Sequence, residues 1–204
     1  MNHFKKIDKE KCSQILEDIK PSLGDVSFSA EETQMLQQEL DFYPDYVFLD
    51  IMSLNHVPAL QRSVLYNEAE GKVVVLDTTN DPIYQLNQSL PIKLDEDNIV
   101  AYVQFFFAIV QGKHGRFLVT ENVDDLRWRE DPPPAARRAI SNMLLPVQLS
   151  SKNDDGSYDV VMTLMFKGAL YKSQVHVEPN GVVNLFNEEV LIEDIPVLDD
   201  RFGY

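Results

Sequence analysis

The residues best suited to contact another molecule lie between positions 113 and 138, where one lysine, five arginines and the only tryptophan of the chain are concentrated. Arginine and tryptophan dominate binding hot spots because each combines a large contact area with directed hydrogen-bond donors. We therefore predict a ligand or partner contact, the arginine-tryptophan set, formed by His114, Arg116, Arg127, Trp128, Arg129, Arg137 and Arg138. The alternative interpretation is that these arginines pair with carboxylates of the same chain, while Trp128 closes the edge of the core.

Two glycines, Gly112 and Gly115, enclose Lys113 and His114 in a Gly-X-X-Gly pattern. In RNA-binding KH domains such a loop joins two helices and lets backbone amides approach phosphates. In this chain the loop joins a predicted helix to a predicted strand. The sequence therefore favours a glycine that ends the helix, with basic side chains at the negative end of the helix dipole.

The sequence motifs assign no catalytic residue. Residues 73–76 form an apolar run that ends at Asp77, as in phosphoryl-transfer enzymes of the haloacid dehalogenase type, but Thr79 stands where those enzymes have a second aspartate. A turn that leads into a helix cap at Asp81 explains the same residues. The histidines lack zinc-binding spacing and the serines lack a Gly-X-Ser-X-Gly pattern. We therefore expect no cofactor and no metal ion.

The charge of the chain is strongly acidic but unevenly distributed. Among 204 residues, 33 are Asp or Glu and 18 are Lys or Arg, so the formal net charge is −15. This charge argues against general nucleic-acid binding, and a hydrophobic content of 44% argues against whole-chain disorder. Residues 103–153 carry 7 basic and 5 acidic side chains, whereas the other three quarters are acidic. The arginine-tryptophan set falls in this one basic quarter.

Three features predict a cytoplasmic protein that does not associate with membranes. The N-terminal residues lack the apolar stretch of a signal peptide. The longest apolar run, residues 99–110, is shorter than the about 20 residues that a membrane span needs. Cys12 is the only cysteine, which excludes an internal disulfide and fits a reducing compartment.

The first 80 residues combine predicted helices with predicted strands. Residues 9–19 carry apolar side chains at three- and four-residue spacings, which predicts an amphipathic helix ended by Pro21 and Gly24. Ser29 and Glu32 form a capping-box pattern, which predicts a second N-terminal helix. Short β-prone runs then predict antiparallel strands at residues 47–52, 63–66 and 73–76.

The clearest predicted helix covers residues 96–111, with Asp95 as its N-cap. Nine apolar side chains cover nearly its whole circumference, so this helix must be buried on most sides. Four extended runs between residues 147 and 187 are separated by turn sequences and predict a four-stranded antiparallel meander. We therefore predict an α+β fold in which a buried apolar helix packs on antiparallel sheets.

A helix followed by such a meander resembles the layout of cystatin-like and NTF2-like α+β domains. This resemblance concerns topology and implies no function. We predict an N-terminal helical segment, residues 1–44, and a single α+β domain, residues 45–204, with a sub-boundary at the proline-rich residues 131–134.

Three functional hypotheses follow from these features. A non-catalytic module that binds a small molecule or a protein, as a monomer or a homodimer, fits the lack of a catalytic motif and the arginine-tryptophan set. A small enzyme would need an acid or base in an apolar pocket between the central helix and the sheet, lined by aromatic residues such as Tyr102 and Phe166. An acidic inhibitor that mimics nucleic acid would use carboxylates near the C-terminus, such as Glu188 and Glu189.

Overall fold

The computed structural model describes residues 3–53, 55–56, 59–112 and 115–198. The described residues form four α-helices and two antiparallel sheets of five strands each, so the fold is α+β as predicted. They fall into two compact units that meet in the sequence between Lys93 and Leu94. We describe the N-terminal unit and the C-terminal unit separately, and the predicted domain organisation stays a prediction.

The N-terminal unit is built on a sheet whose strand order follows the order of the chain. Each strand is antiparallel to the next: β1 Lys5–Lys6, β2 Thr33–Glu39, β3 Val47–Ser53, β4 Leu60–Asn67 and β5 Lys72–Leu76. The hairpin between β4 and β5 turns at Gly71, where a φ of +62° favours glycine. The three strands predicted from β-prone runs are therefore confirmed, and the sheet gains β1 and β2.

Helix α1, Lys9–Ile19, packs against one face of this sheet. Asp8 caps the helix by accepting a hydrogen bond from the Lys11 backbone amide at 2.9 Å. The helix and the strands share one buried cluster, which includes Cys12, Ile15, Leu16, Ile19, Met35, Leu49, Ile51, Val64 and Tyr66. The predicted helix at residues 9–19 is confirmed, because its apolar spacing places these side chains on a single face.

The segment after Ser29, where the sequence predicts a second N-terminal helix, forms strand β2 instead. The Ser29 carbonyl accepts hydrogen bonds from Glu32 N at 3.1 Å and Thr33 Oγ1 at 2.6 Å, which closes a turn rather than starting a helix. The chain then extends between β1 and β3, with Met35 only 1% exposed. Pairing with these strands satisfies the backbone and overrides the helix propensity of the Gln, Met and Leu side chains.

Helix α2, Asp81–Ser89, follows β5, and its N-cap is Asn80 rather than the predicted Asp81. Pro82 lies in its first turn, where the proline's missing backbone donor is not needed. The Tyr43 hydroxyl donates a hydrogen bond to Asn87 Oδ1 at 2.5 Å. This buried bond ties the inner face of α2 to the loop that follows β2.

The C-terminal unit contains the predicted meander. Its strands are β6 Leu118–Val119, β7 Gln148–Lys152, β8 Tyr158–Phe166, β9 Ala169–Val177 and β10 Val183–Ile192. β7 to β10 pair in succession, which confirms the meander, and β6 pairs with β8 beside β7. Lys167 and Gly168 join β8 to β9 with φ values of +51° and +78°, as a two-residue hairpin turn requires.

Helix α3, Ile99–Ile109, packs against β6, β7 and β8 and is buried as the sequence predicts. Asp95 closes the turn before the helix, since its Oδ1 accepts from the backbone amides of Asp97 and Asn98 at 3.0 and 2.9 Å. The Tyr102 hydroxyl donates to Gly181 O at 2.6 Å. The helix is thereby anchored to the turn between β9 and β10.

The two faces of the C-terminal sheet differ in how deeply their side chains are buried. Val160 and Met162 of β8 point to one face and are fully buried, whereas Asp159 and Val161 point to the other face and are partly exposed. At one end of that second face a hydrophobic cluster joins the sheet to helix α4, Pro134–Ser141, and to the C-terminal segment: Leu126, Ile140, Met165, Leu170, Ile195 and Val197. No helix among the described residues is long and apolar enough to cross a membrane.

Candidate functional site

Trp128, the centre of the arginine-tryptophan set, packs at the edge of the hydrophobic cluster beside α4. Its indole is partly buried, and Nε1 donates to Val123 O at 3.3 Å. Its backbone forms an antiparallel bridge with Val197. The position of this side chain therefore fits the alternative interpretation, in which Trp128 closes the edge of the core.

The arginines of the set have different surroundings. Arg129 Nε donates to Val197 O at 2.8 Å, and Arg137 forms an ion pair with Asp124. Arg116 Nη2 donates to Ala108 O at 3.3 Å, while its buried Nε has no hydrogen-bond partner among the described residues. The remaining members are the exposed Arg127 and Arg138, and His114, which lies outside the described residues. The contact role of the set stays a prediction.

The two glycines of the Gly-X-X-Gly pattern pair with each other after α3. Gly112 and Gly115 form an antiparallel bridge, and Gly115 N donates to Gly112 O at 3.1 Å. The helix has Val110 as its C-cap, in an extended conformation, so a glycine does not end it as expected. A Cβ atom at Gly112 would lie 2.8 Å from the Phe117 ring. Close packing against this ring explains why glycine occupies position 112.

Asp77, which follows β5, has the local role that its turn interpretation predicts. Its Oδ1 accepts hydrogen bonds from the backbone amide and the hydroxyl of Thr79 at 2.8 and 2.6 Å. These bonds shape the loop that leads into α2. The carboxylate therefore stabilises a turn between two elements.

An open groove of about 660 Å³ lies in the N-terminal unit between β5 and α2. We call it the β5 groove. It is lined by Asp45, Tyr46, Asn67, Glu70, Lys72, Val73, Val74, Val75, Pro82, Gln85, Leu86, Ser89 and Leu90. Ligand sites in proteins commonly measure about 300–1,000 Å³, so the groove has the size of a binding site. Its lining combines an aliphatic wall with about as much polar surface, from Asp45, Tyr46, Asn67, Glu70, Lys72, Gln85 and Ser89.

Charged groups lie at the hairpin end of the β5 groove. Lys72 Nζ and Glu70 Oε2 form an ion pair at 2.6 Å, and the hydrogen bond to Glu70 raises the pKa of the Lys72 amine. Asp45 is exposed and forms no ion pair with any described residue. Among the residues that the structure describes, none forms an ion pair with this carboxylate of the groove.

A second arrangement of polar side chains lies on the open face of the C-terminal sheet. His176 Nδ1 donates to Asp159 Oδ1 at 2.7 Å across β8 and β9, and Asp159 Oδ2 accepts from Ser151 Oγ at 2.9 Å and Asn153 Nδ2 at 3.2 Å. The two paired side chains are 33% and 27% exposed. A carboxylate that holds Nδ1–H leaves Nε2 of the same imidazole as the proton acceptor.

Hydrogen bonding decides the ionisation of Asp159. Burial opposes the charged form, but the hydrogen bonds from His176, Asn153 and Ser151 outweigh it and hold the pKa of this carboxyl below its ordinary value. The pKa of nearby Asp155 is also lowered, chiefly by the hydrogen bonds from the Ser157 hydroxyl and backbone amide. Asp159 is therefore an anion that orients the imidazole.

Sequence reasoning missed both the β5 groove and the Asp159–His176 pair. The groove is assembled from three separate segments of the chain, and no local pattern marks it. The pair could have been found, because a two-residue turn at Lys167 and Gly168 fixes a register that places Asp159 opposite His176.

Among the described residues, no three or more His, Cys, Asp and Glu side chains are placed to hold a metal ion. The chain matches no protein-family model, and no curated protein or solved structure shows significant similarity to it. Function must therefore be argued from the β5 groove and the Asp159–His176 pair themselves.

Proposed function

We propose that the chain is a non-catalytic binding module whose binding site is the β5 groove. The observation that carries this proposal is an open groove of about 660 Å³ with aliphatic side chains along its length. Val73, Val74 and Val75 form one wall of the groove. Leu86 and Leu90, in and after α2, line the opposite side. Removing such apolar surface from water favours a complex by about 25 cal/mol per Å², which has to exceed the entropic cost of association.

The ionisable groups of the groove fit binding better than catalysis. Lys72 and Glu70 neutralise each other, and the Lys72 amine is held in its charged form by this ion pair. A general base has to accept a proton from a bound substrate. The amine of Lys72 is already protonated and has no lone pair with which to accept one. Asp45 is left to contact a cationic group of the bound molecule.

We place this module in the cytoplasm as part of the same proposal. Cys12 is 2% exposed, and burial together with the nearby charge of Asp8 raises the pKa of its thiol. A buried, protonated thiol of this kind behaves as a small hydrophobic side chain and fits a reducing compartment.

The Gln85→Trp variant tests the proposed binding site. Gln85 is exposed on α2 and lines the groove, so an indole at this position fills the groove without disturbing the core. Probes are selected on the wild-type protein from random peptides of about 12 residues, longer than a typical strand, and from a library of small organic molecules. Fluorescence anisotropy should show that Gln85→Trp weakens the binding of selected probes by about tenfold or more, or about 1.4 kcal/mol.

Gln14→Trp provides a matched control, because Gln14 is an exposed glutamine on α1 of the same unit and does not line the groove. This control should bind the probes as tightly as the wild-type protein. Equal binding by both tryptophan variants, or a failure to select any probe, would refute the proposed site.

The Asp159–His176 pair favours a second candidate function, that of an acid–base enzyme. A carboxylate that orients an imidazole and leaves Nε2 as the acceptor is the arrangement of a general base. The pair is on the open face of the sheet, and its imidazole is edge-on to Phe186 with ring centroids 6.5 Å apart. An enzyme of this kind would act on a substrate that lies across β8, β9 and β10.

Activity towards p-nitrophenyl acetate and p-nitrophenyl phosphate tests this second candidate. If His176 is the general base, His176→Gln lowers kcat/KM by about 100-fold or more. The control is His56→Gln, the same substitution at a histidine of the N-terminal unit whose Nδ1 lies 3.2 Å from Ser53 Oγ. Turnover that is absent, or equal in both variants, counts against the enzyme.

A further inference from the structure

The exposed strand edges of this protein differ in how they are protected against pairing with another chain. Proteins commonly protect such edges with very short strands, charged side chains and β-bulges. β1 has only two residues, both exposed lysines. β10 has two register shifts, with Glu188 and Glu189 between them, and β7 has one register shift and ends at Lys152. These three edges are therefore unsuited to regular pairing.

The outer edge of β5 lacks both a bulge and a charged side chain along Val73–Leu76, and helix α2 packs beside it. β5 pairs with β4 without a register shift, and after Lys72 its residues are all aliphatic, from Val73 to Leu76. The charge of Lys72 is neutralised by its ion pair with Glu70 in the adjoining hairpin. Within the described part of the chain, β4 is the only strand that pairs with β5. The edge thus presents backbone donors and acceptors that another strand can use.

The β5 groove follows this edge rather than one face of the sheet. Successive side chains of a strand point to opposite faces. Val73 and Val75 pack with the cluster beneath α1, yet the groove is lined by Val73, Val74 and Val75 together. A groove that contacts three consecutive residues must run along the strand, where its occupant meets the backbone.

The charge of the N-terminal unit indicates what kind of segment fits. Residues 1–93 contain 8 Lys or Arg against 15 Asp or Glu. At the groove, Asp45 is the carboxylate that no described residue neutralises. A partner segment with a lysine or arginine near Asp45 would complement this charge, and an acidic segment would be repelled.

We propose that the β5 groove binds an extended segment of a partner protein, which adds to the N-terminal sheet as a sixth strand on the outer edge of β5. The segment is apolar where it crosses Val74 and basic where it approaches Asp45. Main-chain hydrogen bonds supply affinity, and the α2 side of the groove supplies specificity. This inference rests on the proposed function, because it describes how the proposed site is occupied.

Hydrogen exchange of the β5 amides, measured by NMR with and without a peptide selected as above, tests this inference. The outer-edge amides among residues 73–76 should exchange about tenfold more slowly in the complex, because each gains a hydrogen bond. Amides of α1 serve as an internal control and should not change. The same peptide with N-methyl groups on alternate residues should lose binding when the methylated edge faces β5.

Asp45→Asn tests the charge of the partner segment. Selected peptides that carry lysine or arginine should bind this variant several-fold more weakly, whereas Asp25→Asn, at an exposed aspartate that does not line the groove, should leave binding unchanged. If Asp45→Asn and Asp25→Asn bind the selected peptides equally tightly, the proposal that the partner segment is basic near Asp45 is refuted.

The outcomes separate this inference from the proposed function. If Gln85→Trp weakens binding but the β5 amides gain no protection in the complex, the binding module stands and strand addition is overturned. A different outcome is that the β5 amides are already protected without peptide and that the protein has the mass of a dimer. This result would assign the edge to a second copy of the chain and would also overturn the inference. If no probe binds, the proposed function and the inference fail together.

Discussion

Phe106→Ala should lower the free energy of unfolding of the C-terminal unit by about 3–5 kcal/mol. Phe106 lies on α3 and is 5% exposed. Its ring centroid is 6.4 Å from that of Tyr102 and 5.7 Å from that of Phe107. Truncation removes these contacts and leaves a cavity that the closely packed helix cannot fill. Urea unfolding followed by circular dichroism measures the change.

Phe186→Ala is the matched control for this truncation. Phe186 is 55% exposed on β10, so the same substitution should cost less than about 1 kcal/mol. Equal costs for the two variants would mean that α3 lines a pocket rather than a packed core. That result would favour the enzyme with a pocket between the helix and the sheet.

Asp159→Asn should lower the free energy of unfolding by about 1–3 kcal/mol at neutral pH, because the amide can no longer accept all the hydrogen bonds that the carboxylate accepts. In the native protein the carboxylate receives bonds from His176, Ser151 and Asn153, and so connects β7, β8 and β9. Asp154→Asn is the control, since Asp154 is exposed in the turn between β7 and β8.

The effect of Asp159→Asn should depend on pH. Folding lowers the pKa of Asp159, so the carboxylate stabilises the folded state at every pH above its unfolded pKa of about 3.9. This stabilisation is lost as the pH falls through the lower, folded pKa. The difference in the free energy of unfolding between wild type and Asp159→Asn should therefore be full at about pH 6 to 7 and shrink towards about pH 3. A constant difference over this range would contradict the account.

The sequence predicts those elements whose residues carry their own periodic pattern. The apolar spacing of α1, the apolar circumference of α3 and the turn sequences of the meander are local signals, and all three elements form. β2 carries no comparable signal, because Gln34, Met35 and Leu36 favour a helix on their own and become a strand by pairing with β3. Pairing partners are remote in sequence, so local patterns do not reveal them.

The candidate sites were less predictable for the same reason. Composition drew attention to Trp128 and the arginines, where Trp128 packs on the core and Arg137 pairs with Asp124. The β5 groove depends on how β5, the β4–β5 hairpin and α2 come together, and on a strand edge that lacks protection. Such an edge becomes visible only when the strand order of the sheet is known.

The contrast between β5 and the other edges also bears on aggregation. An aliphatic strand with an open edge is a hazard to a protein unless something covers it. In this protein α2 packs beside β5 and lines the groove along that edge. Retaining an open edge is consistent with a binding partner that occupies it.

Intermolecular NMR contacts between the isotope-labelled protein and a selected peptide test strand addition at the outer edge of β5. Paired antiparallel strands bring opposing Cα atoms within about 4.5–5.5 Å, so their backbone protons give strong cross-strand signals. If the peptide adds to the sheet as a sixth strand, such signals connect its backbone to residues 73–76 of β5. Signals confined to side chains elsewhere, such as Trp128 and Arg127, with none from the β5 backbone, would contradict strand addition.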